Sequence, residues 1–433
     1  MLPRHYPPPL FLLTGFTWLV VSSILGLAIL IGLVRGTSLP SWVRLVHVHA
    51  ALVGGVAQMM LGGFLAFIPP LLMTGRNQPD SHPALFAAIN IGAIGMLVGF
   101  WLHQHVVVGL AGILVIGAFL WIARDAWRQA RKSLNTPPLN LWYYAAALLA
   151  LFGGLAGGET MAFGLTQQSY GYVRLAHIHL NLLGFITLAI IGTMHNLLPT
   201  VLNQALSSPL FARIVLVLMP LGVALLIGGF MNSSLWIEIA AGIVLFIGGC
   251  LYAANLIRTW LASTHEGSAA ADHLMLGTFF LLLTIVFGIL VSVNSLSTPP
   301  VMPYGTLHLI AYTHMTLVGF VMNTIMGALS HLIPVTLAVS RVPSHKKRGA
   351  YLAHLTAIMD RWRTVQIAGL SLGTMGLALL ASLTWNVPLS SPYVQLTAWA
   401  CFLLLLSSLI LFSVKLAVVV SMPPRDSIHS SPA

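Results

Sequence analysis

The sequence predicts an all-α, polytopic membrane protein of about twelve transmembrane helices, and three observations carry that expectation. Hydrophobic residues make up 58% of the 433 and charged residues only 6%, too little polar surface to cover a water-soluble body of this length. Apolar runs of about 20 residues, the length that crosses a bilayer core, recur between short polar connections. Finally, one apolar stretch returns three times in the same register, as expected of a supersecondary unit used three times. The spans must be helical, because an open sheet would leave backbone groups unpaired in lipid.

The net charge of +11 does not point to nucleic acid, because the cations sit in connections between spans and not on a separate polar domain. They read as orientation signals. Cys250 and Cys401 both fall inside spans, so they build no disulfide framework and no thiolate metal site; packing is their expected role. The opening segment has no small-residue cleavage site, and its apolar run reads as a retained first helix.

Taken in order, helix 1 is expected from Leu10 to Val34, and helix 2 from Leu45 to Met73. A polar turn with Arg76, Pro79 and Asp80 leads to helix 3, Ala84 to Leu102. Helix 4, Val106 to Ala123, follows the short His103-Gln104-His105 turn and ends in Arg124, Arg128, Arg131 and Lys132, cations suited to a helix C-terminus. Helices 5 and 6 run from Leu141 to Phe163 and on to Leu202; helices 7 and 8 occupy Ile214 to Phe230 and Leu235 to Ile257. Helix 9 spans Leu274 to Val293, and helix 10 ends near Leu337. A long polar segment from Arg341 to Arg363 precedes helices 11 and 12, Val365 to Leu383 and Leu396 to Val420.

The connections after helices 4 and 10 are basic, whereas those after 7, 9 and 11 carry no Lys or Arg. That bias places both termini in the cytoplasm of a bacterial inner membrane. The repeats fall on helices 2, 6 and 10, which divides a single membrane domain into three four-helix arcs, residues 1–135, 136–265 and 266–433. A pseudo-threefold arrangement of arcs is the expected architecture.

Each repeat runs from a His to a Gly five, a Gly thirteen and a Pro twenty positions on: His49, Gly54, Gly62, Pro69; His179, Gly184, Gly192, Pro199; His314, Gly319, Gly327, Pro334. The first two copies carry a second His two positions earlier, His47 and His177, where the third has Tyr312. Residues i and i+2 of a helix lie about 200° apart, so a His-x-His pair serves two sites and does not chelate one ion. Imidazole is the commonest axial ligand of haem iron, and the glycines below each His would admit a flat macrocycle or a neighbouring helix. Against that stands the plainer possibility that imidazoles at helix ends merely face the headgroups; three copies in register, in a chain poor in ionisable groups, favour function.

Arg44 and Arg174, each three residues before a repeat His, suit haem propionates or a headgroup anchor. Glu159 in helix 5 is an intramembrane carboxylate and the candidate for proton handling, with Glu238 a weaker second. His103 and His105 sit in an outer turn, open to copper or to solvation, and His308 is balanced between ligand and turn residue. His195 and His331 lie about 24 Å below the repeat histidines and read as interfacial. His5, His82, His265, His345, His354 and His429 read as solvated.

On these residues the chain resembles the catalytic subunit of haem-copper oxidases, nearest the branch of b-haem oxidases and nitric oxide reductases. The similarity lies in His177-Ile178-His179 with Gly184 and Pro199, in Arg44-Leu45-Val46-His47, and in the twelve-helix topology. It implies haem, b-type, held by His49 or His47 together with His314, and His177 and His179 as ligands to a second haem or metal, possible copper included. It also departs from that pattern: Tyr312 stands where the family's high-spin haem ligand falls, and helix 7 has no His pair for copper. The chain is also similar to the NnrS-like haem and copper membrane proteins of the nitric oxide stress response. The expectation is therefore a haem protein handling electrons or a small gas, nitric oxide or oxygen, near the outer face. A quinol or cytochrome would be its redox donor, with small partner subunits and membrane lipid around it and no nucleic acid. A nonenzymatic haem or copper protein and a secondary transporter are the alternatives.

Overall fold

The computed structural model describes residues 7–37, 39–74, 82–134, 136–264 and 266–424. The expectations attached to His5, Arg76, Pro79, Asp80, His265 and His429 lie outside the described residues. Among the described residues every regular element is helical, and twelve helices are long and apolar enough to cross a membrane. The protein is a multi-pass, all-α membrane protein.

The spans are α1 Pro8–Val34, α2 Ser41–Leu71, α3 Pro83–Trp101, α4 His105–Lys132, α5 Leu139–Ala162, α6 Tyr170–Leu202, α7 Pro209–Met231, α8 Leu235–Leu261, α9 Ala269–Asn294 and α10 Thr306–Arg341. A thirteenth helix, α11 His345–Asp360, precedes α12 Arg363–Leu383 and α13 Pro392–Ser421. The largest departures from the sequence expectation lie in two elements. The long polar segment is helical because Tyr351, Leu355 and Met359 form one buried stripe at helical spacing. Helix 4 does not stop at Ala123 but carries its cations as a continuous helix to Lys132. Its last turns are polar without being breakers, and hydropathy alone does not mark them.

The chain forms two compact units. One comprises Met1–Asn196, Ser208–Asn255 and Ile285–Met302, the other Leu197–Ser207, Leu256–Thr284 and Pro303–Ala433. In the first unit α1 packs on α2, α3 on α4 and α5 on α6; in the second α12 packs on α13 and on the start of α10. The three repeat helices are the most enclosed spans: 61%, 61% and 72% of the central stretches of α2, α6 and α10 are buried, against 28% to 50% for the rest.

The repeat reaches well beyond the helices that announce it. Gly92 meets Val115 as Gly222 meets Leu245, and Gly99 meets Val108 as Gly229 meets Glu238, each pair displaced by 130 residues. The helix ends repeat too. His103 and Ser233 both take left-handed backbone, φ 56° and 52°. Each sits in a six-to-one and five-to-two hydrogen-bonded C-cap, Gln104 to Gly99 and His103 to Phe100, Ser234 to Gly229 and Ser233 to Phe230. Met73 and Asn203 end α2 and α6 in the same left-handed way.

Candidate functional site

Each repeat helix is broken at one register. Eight residues of π-helix, Ala50–Ala57, Leu180–Thr187 and Met315–Met322, begin immediately after His49, His179 and His314. The i→i+5 pairing is rare, costs backbone regularity, and is found chiefly where function requires it. Three occurrences in register tie the distortion to the histidines and not to a local packing accident.

The imidazoles are half-buried, and their orientations are fixed. His49 Nδ1 lies 2.9 Å from the Leu45 carbonyl, His179 Nδ1 2.8 Å from that of Leu175, and His314 Nδ1 2.8 Å from that of Ile310. His47 Nδ1 lies 2.8 Å from the Ser22 carbonyl and His177 Nδ1 2.7 Å from the Gly154 carbonyl. A carbonyl only accepts, so in all five rings Nδ1 carries the proton. In a neutral ring that leaves the lone pair on Nε2. Such a second hydrogen bond is how metal-ligating imidazoles are held in tautomer and direction.

The two histidines of a pair face different neighbours, as the i,i+2 spacing demands. His47 is fastened to α1 and His177 to α5, while the ring of His49 lies tilted against Phe100 of α3 with centroids 4.6 Å apart and that of His179 against Phe230 of α7 at 4.7 Å. A side chain at Gly26 or Gly158 would run into the ring of His47 or His177, so these glycines make room for the imidazoles. His49 and His177 lie within electrostatic reach of one another.

The remaining expected site residues are more scattered. Arg44 and Arg174 are exposed. Glu159 packs its carboxylate against Gly112 of α4, and its Oε2 is buried without a hydrogen-bond partner among the described residues. At the equivalent position 130 residues on, Ile289 packs against Gly242, so the carboxylate replaces an apolar residue. Glu238 accepts a 3.3 Å hydrogen bond from Ser292. His103 and His105 are exposed at the α3–α4 turn. His195 is buried between Tyr143 and Tyr252, with neither ring nitrogen hydrogen-bonded among the described residues. His331 is half-buried on α10. Cys401 packs against Gly376, while Cys250 is exposed. His82 is half-buried and meets Trp121 edge-on at 5.2 Å, and so is not simply solvated.

His308 differs from the repeat histidines. Its Nδ1 accepts from the Gly305 N–H at 3.1 Å at the start of α10, and its ring stacks on Trp385. The neutral ring then carries its proton on Nε2 and keeps no lone pair for a metal. Among the described residues no three His, Cys, Asp or Glu side chains converge to hold a metal ion.

Sequence reasoning missed two titratable side chains altogether, His273 of α9 and Lys415 of α13. Both are buried in the second unit, in a hydrogen-bonded chain through Gln366 and Asn323. A charged Lys inside an apolar helix was the available signal.

No family model matches the chain. It is similar to a protein of Aquifex aeolicus (strain VF5) described only as uncharacterized, with 32% identity over 158 residues, 36% of this chain and 40% of that one. The similarity thus spans less than half the length of that relative.

Proposed function

We propose that this protein is a haem-binding integral membrane protein that uses the repeat histidines to handle electrons or a small gas such as nitric oxide or oxygen. The observation supporting this most directly is the shared tautomer: five imidazoles, each with Nδ1 bound to a carbonyl and its lone pair on Nε2. That is the donor arrangement an axial ligand requires. His49 and His179, at the starts of the first two π segments, and His47 and His177 beside them would hold haem iron, and His314 is the corresponding donor of the third copy. The exposed Arg44 and Arg174 would meet haem propionates.

Bound there, haem iron would supply one-electron transfer or reversible gas binding. The chain's own part is to fix ring direction, to set the rings of Phe100 and Phe230 beside the histidines, and to keep Glu159 as a protonatable group in α5. A b-type haem suits the absence of a Cys-x-x-Cys-His attachment motif from the sequence. A quinol or a cytochrome would be the electron donor. The distribution of Lys and Arg supports a bacterial inner-membrane protein with both termini in the cytoplasm.

A second reading, a haem protein without turnover, is favoured by one finding: the described residues offer no three-ligand grouping for copper beside the haem. The purified protein decides between these readings through a reduced-minus-oxidised optical spectrum with iron and copper counted on the same sample. Haem iron with low-spin bands, diminished in His49→Ala, His179→Ala or His314→Ala, is expected. Protein from haem-replete cells that carries no iron, or variants with unaltered spectra, would remove the assignment. Turnover with a quinol or reduced cytochrome separates the enzyme from the nonenzymatic protein.

A further inference from the structure

The second unit contains a chain of four polar side chains, all withdrawn from solvent: Asn323, His273 and Gln366 are 0% exposed and Lys415 5%. Burying so many polar groups in an apolar bundle is costly unless each is satisfied. The hydrogen bonds can be assigned one at a time. The Asn323 amide nitrogen donates to the Gly319 carbonyl at 2.7 Å, so its oxygen is the atom 2.7 Å from His273 Nδ1, and Nδ1 must be the donor. Lys415 Nζ, which only donates, lies 2.7 Å from Gln366 Oε1. The Gln366 amide nitrogen therefore faces His273 Nε2, at 2.7 Å, and donates to it. Every donor points the same way: lysine to glutamine, glutamine to histidine, histidine to asparagine, asparagine to the carbonyl of the repeat glycine inside the third π segment.

This ordering has a strict consequence. His273 cannot take a second proton while Gln366 presents N–H to it, because two donors would face each other across 2.7 Å. It gains that proton only if the amide turns end for end. The turned amide then presents N–H to Lys415, which must be an uncharged amine to accept it. The ammonium and the imidazolium are mutually exclusive, and the amide orientation records which is present.

We propose that Lys415 and His273 form a buried site for a single proton, passed between them as the Gln366 amide reverses. In the transfer one Nζ–H bond of Lys415 breaks as a Gln366 Oε1–H bond forms, and one Gln366 N–H bond breaks as an Nε2–H bond of His273 forms; the imidic acid so made returns its O–H proton to its own nitrogen as the group turns end for end, which restores the amide, and the total charge does not change. The charged groups bearing on this site from the surrounding helices are few. Asp360, at the end of α11, attracts Lys415, and its carboxylate also accepts from the Ala269 N–H at the start of α9 at 2.6 Å. Asp272 and Arg363 pair at 3.3 Å across the starts of α9 and α12, both about one-third exposed, with Arg363 also donating to the Gly267 carbonyl. α10 contributes the neutral Asn323, and α13 the lysine itself. The last side chain of the chain, Asn323, stands nine residues after His314 on α10, and the carbonyl to which it donates, that of Gly319, five residues after it. The inference holds whether or not the repeat histidines bind haem.

Nitrogen NMR of histidine in the full-length protein in lipid nanodiscs tests it, with His273 assigned by difference from His273→Gln, an amide that can keep both neighbours bonded. The wild type is expected to show a neutral ring protonated on Nδ1 at neutral pH. Gln366→Glu, whose carboxylate accepts from both neighbours, is expected to convert His273 to the doubly protonated form at that pH. Lys415→Met frees the amide to reverse, so His273 should become doubly protonated at a pH where the wild type is still singly protonated. A His273 signal unchanged in both variants would overturn the proposal and leave a static network. If Lys415→Met fails to accumulate, the Gln366→Glu spectrum alone decides.

Discussion

The first two repeats and the third share one backbone device and use it differently. All three place a π segment directly after a histidine bound to the carbonyl four residues before it. The first two add a second imidazole anchored to the preceding helix. The third puts Tyr312 there and spends its polar side chains deeper, where Asn323 joins the Lys415–Gln366–His273 chain. Nine positions after the repeat His stand Gln58, Leu188 and Asn323. One site thus holds an orphan amide, an apolar residue and a connected amide, since Gln58 is 0% exposed with neither amide atom hydrogen-bonded among the described residues. The backbone break is common property; the buried polar chemistry belongs to the individual copy.

The sharpest way to break that comparison is to place the second copy's leucine into the other two. Asn323→Leu strips the acceptor from His273 Nδ1–H and strands a buried donor, so a loss of about 1–3 kcal/mol is expected, larger if the whole chain loosens. Gln58→Leu removes two buried polar atoms that nothing satisfies, at nearly constant volume, and a gain of about 1–2 kcal/mol is expected. Thermal unfolding in detergent or nanodiscs checks both. Shifts of the same sign would mean that the two positions are not the contrast the geometry makes them.

A milder contrast sets Glu159 against Ile289, which occupy equivalent positions against Gly112 and Gly242. Glu159→Ile should fold at least as well as the wild type, with a gain of up to about 1 kcal/mol from removing an unpaired buried carboxyl oxygen. A drop in stability would show that the carboxylate is held by something structural. A stable protein that loses its reaction with a gas or donor would give Glu159 a functional role.

The spans, their order and the triple repeat were legible because hydropathy and glycine spacing are local signals. The π segments were not, since nothing in Ala50–Ala57 or Leu180–Thr187 forbids an ordinary α-helix; each break is a pattern of backbone hydrogen bonds that no residue type announces. His273 was passed over because it follows Asp272 at a helix start, where a polar residue needs no explanation. Its partners Asn323 and Gln366 lie 50 and 93 positions away, and no window along the chain brings them together. The tautomer of His308 is equally beyond the sequence, because the proton's place on the ring is set by the Gly305 N–H.

The smallest expected effect is the most discriminating. The π break alters the pairing of backbone groups around each repeat histidine, and the first two copies satisfy the carbonyl of the earlier histidine by different means. In the first, the Ser22 hydroxyl donates to the His47 carbonyl at 2.7 Å; in the second, the Asn181 amide donates to the His177 carbonyl at 2.7 Å. The second copy has Gly154 where the first has Ser22, and a side chain there would collide with Asn181. The first has Ala51 where the second has Asn181. Ser22→Gly should therefore cost about 1 kcal/mol, a buried hydrogen bond and some backbone entropy. Ala51→Asn alone should also cost stability, because its amide meets Ser22. Together they rebuild the second copy's arrangement inside the first, and most of both losses should be recovered. Coupling of this sign in a double-mutant cycle is what two interchangeable solutions to one backbone problem require; simple additivity would mean that the two copies only look alike.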